Sequence, residues 1–309
     1  MKARLVLWIV AALALLALPA IASMLGQPYY VDLVRRIMIL AIAAVSLNLI
    51  LGYGGLVSFG HAAYLGIGAY SVGILALYGV TSGWAQAAVA IAASSAVALA
   101  IGAVSIRTSG IYFIMITLAF TQMLYYLGIS LEVFGGDDGM RLKARSRFPL
   151  IDLADPTASY YVALGVLLAA VFIVYRLVNS RFGLALRAAK SNEARSRALG
   201  FSPYPYRLGA FVIAGAMGGI ACLLYANHTN YISPTLMSWG QSGDLMFMVI
   251  LGGMASTSGP LLGAFALILL EEVLKGWTEH WQVILGPLLV LSVVFFRRGL
   301  AGIFWKPDA

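Results

Sequence analysis

The chain has 309 residues, of which 61% are hydrophobic and only 10% are charged. Because soluble domains carry about 25% charged residues, this composition excludes a soluble protein. It predicts a single all-α, polytopic membrane domain over residues 1–309. The 20 Lys and Arg outnumber the 12 Asp and Glu, which basic cytoplasmic loops explain better than nucleic-acid binding does.

Ten apolar segments follow one another, most of them near the ~20 residues that a helix needs to cross a bilayer. We therefore predict about ten transmembrane helices. Glycine and proline interrupt the third, eighth and ninth segments, which predicts that some helices are broken or re-entrant. The segments are residues 5–25, 33–51, 56–79, 84–106, 111–129, 159–178, 208–227, 242–257, 258–275 and 281–296.

The first segment has two interpretations. Lys2 and Arg4 precede an apolar run, and Ala20-Ile21-Ala22 resembles a signal-peptidase site, so residues 1–22 would be removed on one interpretation. An uncleaved first helix is favoured, because the apolar run continues to Leu25 and another segment follows at once.

The basic residues predict the orientation of the chain. Lys and Arg mark cytoplasmic loops, and they are densest in the loop of about 179–207. With this loop and both termini in the cytoplasm, ten helices return the chain to its starting side. The basic residues concerned are Arg181, Arg187, Lys190, Arg195, Arg197 and Arg207, with Arg297, Arg298 and Lys306 near the C-terminus.

Two groups of basic residues conflict with this orientation. Arg35 and Arg36 lie near the predicted outer end of the second segment. The loop of about 130–158, which the orientation places outside, also carries four basic residues. These are Arg141, Lys143, Arg145 and Arg147.

A glycine-rich stretch, GYGGLVSFGHAAYLGIGAY at residues 52–70, interrupts the early apolar segments. A polar solute needs a path of small and neutral polar groups, and glycines allow irregular backbone where it faces such a path. The alternative for His61 is a hydrogen bond to a neighbouring helix. The candidate path residues are Asn48, Ser58, His61, Tyr64, Thr117 and Gln122.

A late glycine-rich stretch echoes the early one, since Ile50-Leu51-Gly52 returns as Ile250-Leu251-Gly252. Paired interruptions in the two halves of a transporter point to its substrate path. Close helix packing through small residues is the alternative. The candidate residues of the late stretch are Asp244, Gly252, Gly253, Gly259, Pro260 and Gly263.

The loop of about 179–207 predicts a short amphipathic helix from about Ser191 to Leu199. Ser191 or Asn192 is a suitable N-cap, and an acid and a base four residues apart favour a helix. Gly200 should end the helix, and Pro203 and Pro205 should prevent its restart. The helix predicts a docking site for a soluble partner; a solvated connector is the alternative. Its candidate residues are Ser191, Glu193, Ala194, Arg197, Ala198 and Gly200.

The predicted outer loop contains Phe134–Met140, which reads FGGDDGM. Glycine permits positive φ and aspartate favours turns, so a tight turn is predicted. An ordinary exposed turn and a docking loop for an external partner both fit. The candidate docking residues are Gly135, Gly136, Asp137, Asp138 and Gly139.

The motifs of several enzyme and cofactor classes are missing from the sequence. It has no GxxxxGK[ST] phosphate loop, no His, Cys and Glu cluster with metal spacing and no GxSxG elbow. We therefore expect no catalytic residues, no metal and no cofactor, and a membrane enzyme has no support.

Four stretches together resemble the permease family of branched-chain amino-acid ABC importers, in particular its LivM-type subunit. SLNLILGYGGLVSFGHAAYLGIGAY is similar to the family's early signature, and SGDLMFMVILGGMASTSGPLLGAF to its late one. Asp244 stands where the family often has glutamate. FGGDDGM resembles an outer-loop element, with Phe134 for Thr and Met140 for Leu, and RAAKSNEARSRALGFSPYPYRLGAF resembles a cytoplasmic coupling loop.

The resemblance implies a permease in the cytoplasmic (inner) membrane of a prokaryote. It would pair with a second, LivH-like permease and with two cytoplasmic ATPases, and a periplasmic or lipid-tethered binding protein would deliver the substrate. Relatives in the family carry leucine, isoleucine and valine, or other amino acids, urea and amides. A self-sufficient secondary carrier or channel is the alternative. Few carboxylates lie within the apolar segments, whereas ion-coupled carriers usually bury them there.

Overall fold

A computed structural model describes residues 2–24, 26–149, 151–295 and 299–304 of the chain. These residues form thirteen α-helices, and a π-helical turn, Leu49–Tyr53, continues α2. Leu25, Arg297, Arg298 and Lys306 lie outside the described residues. The α-helices are α1 (Lys2–Met24), α2 (Pro28–Asn48), α3 (His61–Leu77), α4 (Gly83–Ser105), α5 (Ile111–Ser130), α6 (Pro156–Val178), α7 (Arg181–Ser191), α8 (Glu193–Ala198), α9 (Pro203–Thr229), α10 (Trp239–Gly252), α11 (Gly259–Trp277), α12 (Trp281–Phe295) and α13 (Ala301–Phe304).

Each of the ten predicted apolar segments largely coincides with one helix of the structure, so the prediction of an all-α polytopic membrane protein is confirmed. Among the described residues, five helical stretches are long and apolar enough to cross a membrane. The number of crossings, ten, stays a prediction. The five stretches are Pro28–Tyr53, Gly83–Ser105, Ile111–Ser130, Pro156–Val178 and Pro203–Thr229.

Helix α2 lies at the centre of the bundle and packs against α6, α9, α10 and α11. Within its most apolar window 89% of the residues are buried, compared with 22% in α5. A helix that is apolar on all sides belongs in the interior, and residues 37–51 of α2 and its π-helical turn are buried throughout. Helices α4, α5 and α6 instead keep an apolar face on the outside.

Small residues set the spacing between helices. A Cβ atom on Gly215 of α9 would lie 2.5 Å from the Ala98 Cβ atom of α4, and one on Gly219 would lie 2.7 Å from the Ala90 carbonyl oxygen. In a membrane, helices associate through close van der Waals packing because lipid is as apolar as the side chains. These glycines therefore account for the close packing of α4 on α9.

Loops with short strands form one end of the bundle, which we call the strand end (residues 131–155 and 230–238). Strand β1 (Met140–Arg141) pairs antiparallel with β4 (Tyr231–Ile232), and β2 (Arg147–Phe148) pairs antiparallel with β3 (Ile151–Asp152). Helices α7 and α8 lie at the opposite end, the α8 end, since α6 and α9 run the length of the bundle between them. Single 3₁₀ turns occur at Glu132–Phe134, Gly136–Asp138 and Pro234–Met237.

Ion pairs neutralise the two arginines that conflicted with the predicted orientation. Arg35 pairs with Asp32 one turn earlier in α2, and Arg36 lies 3.8 Å from the Glu271 carboxylate of α11. Arg35 is buried, so its charge needs this partner. The charges at this end of α2 are thus largely compensated within the chain.

Two prolines act differently from the prediction. Pro203 and Pro205 do not prevent a restart of helix; they lie in the first turn of α9, which begins at Pro203. Proline fits the first turn because its missing N–H would have no helical partner there. The prediction was wrong because a residue that ends one helix also suits the start of the next.

Closely packed glycines provide a test of the bundle. A Cβ atom on Gly263 of α11 would lie 1.8 Å from the Met248 carbonyl oxygen, whereas one on Gly165 of α6 would meet no atom within 4 Å. We expect Gly263→Ala to destabilise the purified protein by about 1–3 kcal/mol, and Gly165→Ala to leave it unchanged or slightly more stable. Thermal unfolding in detergent measures both; equal melting temperatures would contradict the packing of α10 on α11.

Candidate functional site

Two helices begin inside the bundle: α3 starts in the early glycine-rich stretch, where the sequence predicted a break, and α10 starts before the late one. After the π-helical turn the chain reverses through residues 54–60, and α3 starts at His61. The segment before α10 passes from the strand end into the bundle between α3 and α5. Its residues Ile232 and Met237 lie so close to Gly73 and Gly66 of α3 that a Cβ atom on either glycine would collide with them. Those glycines are seven residues apart, or about 10 Å along α3. Helix α10 then starts at Trp239.

The two helix starts meet at Ser242 of α10. Its hydroxyl donates to the Phe59 carbonyl oxygen at 2.7 Å and accepts from the Ala62 N–H at 3.0 Å. From α5, the Thr117 hydroxyl accepts from the Phe59 N–H at 3.3 Å, and the Thr121 hydroxyl donates to the Phe59 carbonyl oxygen at 3.0 Å. Non-helical backbone at this depth needs such partners.

His61 is fully buried, and its Nε2 atom lies 2.7 Å from the Ser46 hydroxyl oxygen of α2. The Ser46 hydroxyl also donates to the Ala43 carbonyl oxygen at 2.7 Å, so the imidazole donates from Nε2. The Tyr64 ring packs edge-on against the imidazole, with ring centroids 5.4 Å apart. A hydrogen bond between helices, one of the two interpretations of His61, is therefore present.

Asn48 joins the early and the late glycine-rich stretches. Its side-chain amide donates to the Ser256 carbonyl oxygen at 2.9 Å, and its amide oxygen accepts from the Ala255 N–H at 3.1 Å. A Cβ atom on Gly52 would lie 2.6 Å from the Ala255 nitrogen, so only glycine lets the two stretches approach this closely. The end of the early ILG sequence, at Gly52, thus contacts the backbone three residues after the late one, at Ala255.

The other predicted path residues are dispersed around these contacts. Ser58, Tyr64 and Thr117 are buried, and the Ser58 hydroxyl accepts from the Gly60 N–H at 3.1 Å. The Tyr64 hydroxyl has no hydrogen-bond partner among the described residues. Gln122 is half-buried on α5 and forms no side-chain hydrogen bond within the described part of the chain.

The late stretch packs backbone against backbone. Cβ atoms on Gly252 and Gly259 would lie 1.8 Å and 2.2 Å from carbonyl oxygens of the same stretch. Gly253 has a φ of 114° beyond the end of α10, and Pro260 lies in the first turn of α11. Asp244 lies apart: it is exposed on α10 and has neither an ion pair nor a side-chain hydrogen bond among the described residues.

Helix α8 has the predicted local signals, with one correction. Asn192 is its N-cap and accepts from the Arg195 N–H at 2.9 Å. Ser191 ends α7 instead, so the six-residue helix α8 is shorter than predicted. Gly200, with a φ of 84°, follows its end. Ala194 and Ala198 are both exposed.

Glu193 connects α8 to α9. It pairs with Arg197 at 2.6 Å, as predicted, and also with Arg207 at 2.8 Å. Partial burial raises the pKa of Glu193, but hydrogen bonds and attraction from Arg207 and then Arg197 outweigh this effect, so the pKa falls below its ordinary value. The carboxylate is therefore charged at neutral pH. Its stabilising contribution is lost only as the pH falls through this lowered pKa.

Lys190 was predicted only as one of the basic residues of a cytoplasmic loop, but it contacts the early glycine-rich stretch. Its ammonium donates to the Gly52 carbonyl oxygen at 2.6 Å. The sequence signal was only a base in the last turn of a helix, which usually means attraction to that helix's own C-terminus.

At the strand end, Gly135, Gly136 and Gly139 have φ values of 94°, 52° and 72°. The Tyr231 hydroxyl donates to the Asp138 carbonyl oxygen, and a Cβ atom on Gly139 would lie 2.3 Å from the Ile232 carbonyl oxygen. Asp137 and Asp138 remain exposed. The turn is thus tight and fixed against β4, with two acids on its outer side.

Comparison with known proteins identifies the family. The family described as "Branched-chain amino acid transport system / permease component" matches residues 29–293. The chain belongs to this permease family. No solved structure matches the chain.

Proteins named as permeases of branched-chain amino acid transport are similar to this chain. The chain is 27% identical over 294 residues to the high-affinity branched-chain amino acid transport system permease protein LivM of Salmonella typhimurium, covering 87% of this chain and 69% of that one. The LivM of Escherichia coli K12 gives the same figures. The permease protein LivH of Escherichia coli K12 is 24% identical over 284 residues, covering 85% of this chain and 91% of that one.

Loss of the Asn48 amide should weaken the contact between the two glycine-rich stretches. We expect Asn48→Ala to destabilise the protein by about 1–3 kcal/mol, because it leaves the Ala255 N–H and the Ser256 carbonyl without partners. Asn179→Ala is the matched control, since that side chain makes one exposed bond to the Tyr175 carbonyl oxygen. Thermal unfolding in detergent should separate the two; identical melting curves for both variants and wild type would disprove this role of Asn48.

Proposed function

We propose that this chain is a permease subunit of an ATP-driven importer for branched-chain or related amino acids. The observation that carries the proposal is the pair of helices, α3 and α10, that begin inside the bundle around hydroxyl-bonded backbone. In transporters, discontinuous helices of this kind form substrate sites. Family membership supports the transport role. The names of the LivM and LivH relatives support the substrate class.

The interior suits a passage for a zwitterion that binds only weakly. Helix N-termini carry partial positive charge and attract carboxylates, and small hydroxyl groups offer hydrogen bonds without fixed charge. Among the described residues no Asp or Glu is buried, whereas ion-coupled carriers usually bury carboxylates in their helices. This favours an importer driven by partner ATPases over a self-sufficient carrier or channel. The same interior would also suit an importer of urea or amides, in which the binding protein would select the substrate.

We place a second, LivH-like permease against the exposed face of α10. Asp244 is exposed there without a partner in the described chain, and a carboxylate on a membrane helix does not face lipid. Gly243 is open on the same helix, with no atom within 4 Å of a Cβ position. A second permease would cover this face and complete the substrate path.

Helix α8 is proposed as the contact with a cytoplasmic ATPase, which places the α8 end and both termini in the cytoplasm of a prokaryote. Asn192 and Gly200 bound the helix firmly, and Arg207 fixes it to α9 through Glu193. Exposed Ala194 and Ala198 allow a close approach. The acidic turn at the strand end, with Asp137 and Asp138 exposed, is proposed as a contact for an external binding protein.

Bulk on the small face of α8 should separate the ATPase from the permease. We expect Ala194→Trp to abolish co-purification of the ATPase with affinity-tagged permease and to reduce uptake of radiolabelled leucine by at least tenfold, while the partner permease is retained. Ala154→Trp, an exposed alanine at the strand end, is the control and should keep both. Leucine uptake that continues without the ATPase would favour a self-sufficient carrier and overturn the proposal.

Charge reversal at the acidic turn should weaken the response to the binding protein. For Asp137→Lys combined with Asp138→Lys, we expect the ATPase activity of the reconstituted complex to lose most of its stimulation by substrate-loaded binding protein. Basal activity should stay unchanged. Glu279→Lys reverses another exposed acid, between α11 and α12, and should have no effect. Equal stimulation in all three proteins would show that the turn is not a docking site.

A further inference from the structure

Lys190 reaches from α7 into the break between α2 and α3. Its ammonium lies 2.6 Å from the Gly52 carbonyl oxygen. The side chain crosses Gly55 on the way: a Cβ atom at Gly55 would lie 2.7 Å from the Lys190 Cγ atom, and the φ of Gly55 is 70°. Because Gly55 has no Cβ atom, the Lys190 side chain has room to pass it.

Lys190 donates to the Gly52 carbonyl oxygen, which lies in the π-helical turn at the end of α2. Beyond the π-helical turn, the N–H groups of Gly54, Gly55 and Leu56 bond to the carbonyls of residues 49, 51 and 50. Carbonyl oxygens at a helix C-terminus carry partial negative charge and attract a cation. Lys190 therefore completes the hydrogen bonding at the end of α2, from a helix 138 residues later in the chain.

Gly52 also touches the contact that Asn48 makes with the late stretch. A Cβ atom on Gly52 would lie 2.0 Å from the Asn48 amide oxygen and 2.6 Å from the Ala255 nitrogen. A displacement of Gly52 would therefore shift Asn48 and, through it, the backbone between α10 and α11. Helix α10 in turn holds Phe59, at the start of α3, through Ser242.

On its other side Lys190 is closely tied to α8. Asn192, two residues later, caps α8, and Glu193 pairs with Arg207 of α9. Arg207 also donates to the Ala189 carbonyl oxygen of α7 at 3.4 Å. These bonds hold α7, α8 and the start of α9 together, so a push on α8 would move Lys190 with it.

We propose that Lys190 is a positioning residue for transport, which transmits movement of α8 through the Gly52 carbonyl to the two glycine-rich stretches. The inference rests on the proposed docking of an ATPase on α8 and adds the residue that couples docking to the substrate path. Loss of the ammonium should separate ATP hydrolysis from transport and leave the assembly intact.

The test uses the complete importer, purified through a tag on this chain and reconstituted in vesicles. Lys190→Met keeps the length of the side chain without its donor, and Lys190→Arg restores a donor. Arg181→Met removes a positive charge from the same helix at a side chain that has no hydrogen bond or ion pair among the described residues. The measurements are the amount of co-purified ATPase, the basal ATPase rate and the number of substrate molecules imported per ATP.

We expect Lys190→Met to keep the ATPase and its basal rate but to lower import per ATP roughly fivefold, a change typical of mutations that alter coupling between sites. Lys190→Arg should recover at least half of the ratio, and Arg181→Met should match wild type. If Lys190→Met does not assemble, Lys190→Gln, whose amide is shorter, carries the same expectation.

Three results would overturn the inference. A wild-type ratio in Lys190→Met would show that the bond does not couple the sites. Loss of the ATPase in Lys190→Met and Lys190→Gln would assign Lys190 to docking, and a failure of Lys190→Arg to recover would assign it to packing. A wild-type complex without an ATPase or without ATP-dependent import would instead refute the proposed function, which separates the two failures.

Discussion

The structure depends on one constraint: where a helix is broken within a membrane, lipid offers no hydrogen-bond partners to the freed backbone groups. Phe59 shows how the chain meets it, since hydroxyls of Thr117, Thr121 and Ser242 bond to its N–H and carbonyl. Asn48 does the same for Ala255 and the residue after it. These side chains come from α2, α5 and α10, so each break is tied to several helices at once.

This arrangement links two distant places in the bundle. The early break contacts α7 through the Lys190 ammonium and contacts the late break through the Asn48 amide. The late break in turn lies against residues 299–304, because the Leu300 N–H donates to the Leu251 carbonyl oxygen. Hinges in proteins are commonly a few residues in loops or at the ends of helices, and both breaks are of this kind. The breaks are therefore the natural place for a change between two states of a transporter.

Some charged side chains of the membrane helices are paired within the described chain, whereas that of Asp244 is not. At the end of α2 that faces the strand end, Arg35 and Arg36 are compensated by Asp32 and Glu271 within the chain. Among the described residues Asp244 has no such compensation, which suits a surface that another protein covers. The positive-inside rule counts Lys and Arg and ignores such pairs, and for this reason the two arginines looked inconsistent with the orientation when only the sequence was considered.

The sequence by itself determined the class of protein, the position of nearly every helix and the local signals of α8. These depend on apolar length, on an N-cap such as Asn192 and on the pair of Glu193 with Arg197, all of which act within a few residues. It also located both breaks, because glycine and proline interrupt a helix wherever they occur in its interior. The family followed from the same stretches.

Only the tertiary structure decided what bonds to the breaks. Ser46, Ser242 and Lys190 have no distinguishing sequence pattern, since a hydroxyl or an ammonium on a helix fits many environments. Their partners lie 15, 183 and 138 residues away. Which donor meets which carbonyl depends on how helices pack, and packing in a bilayer is set by the fit of small residues across the whole bundle.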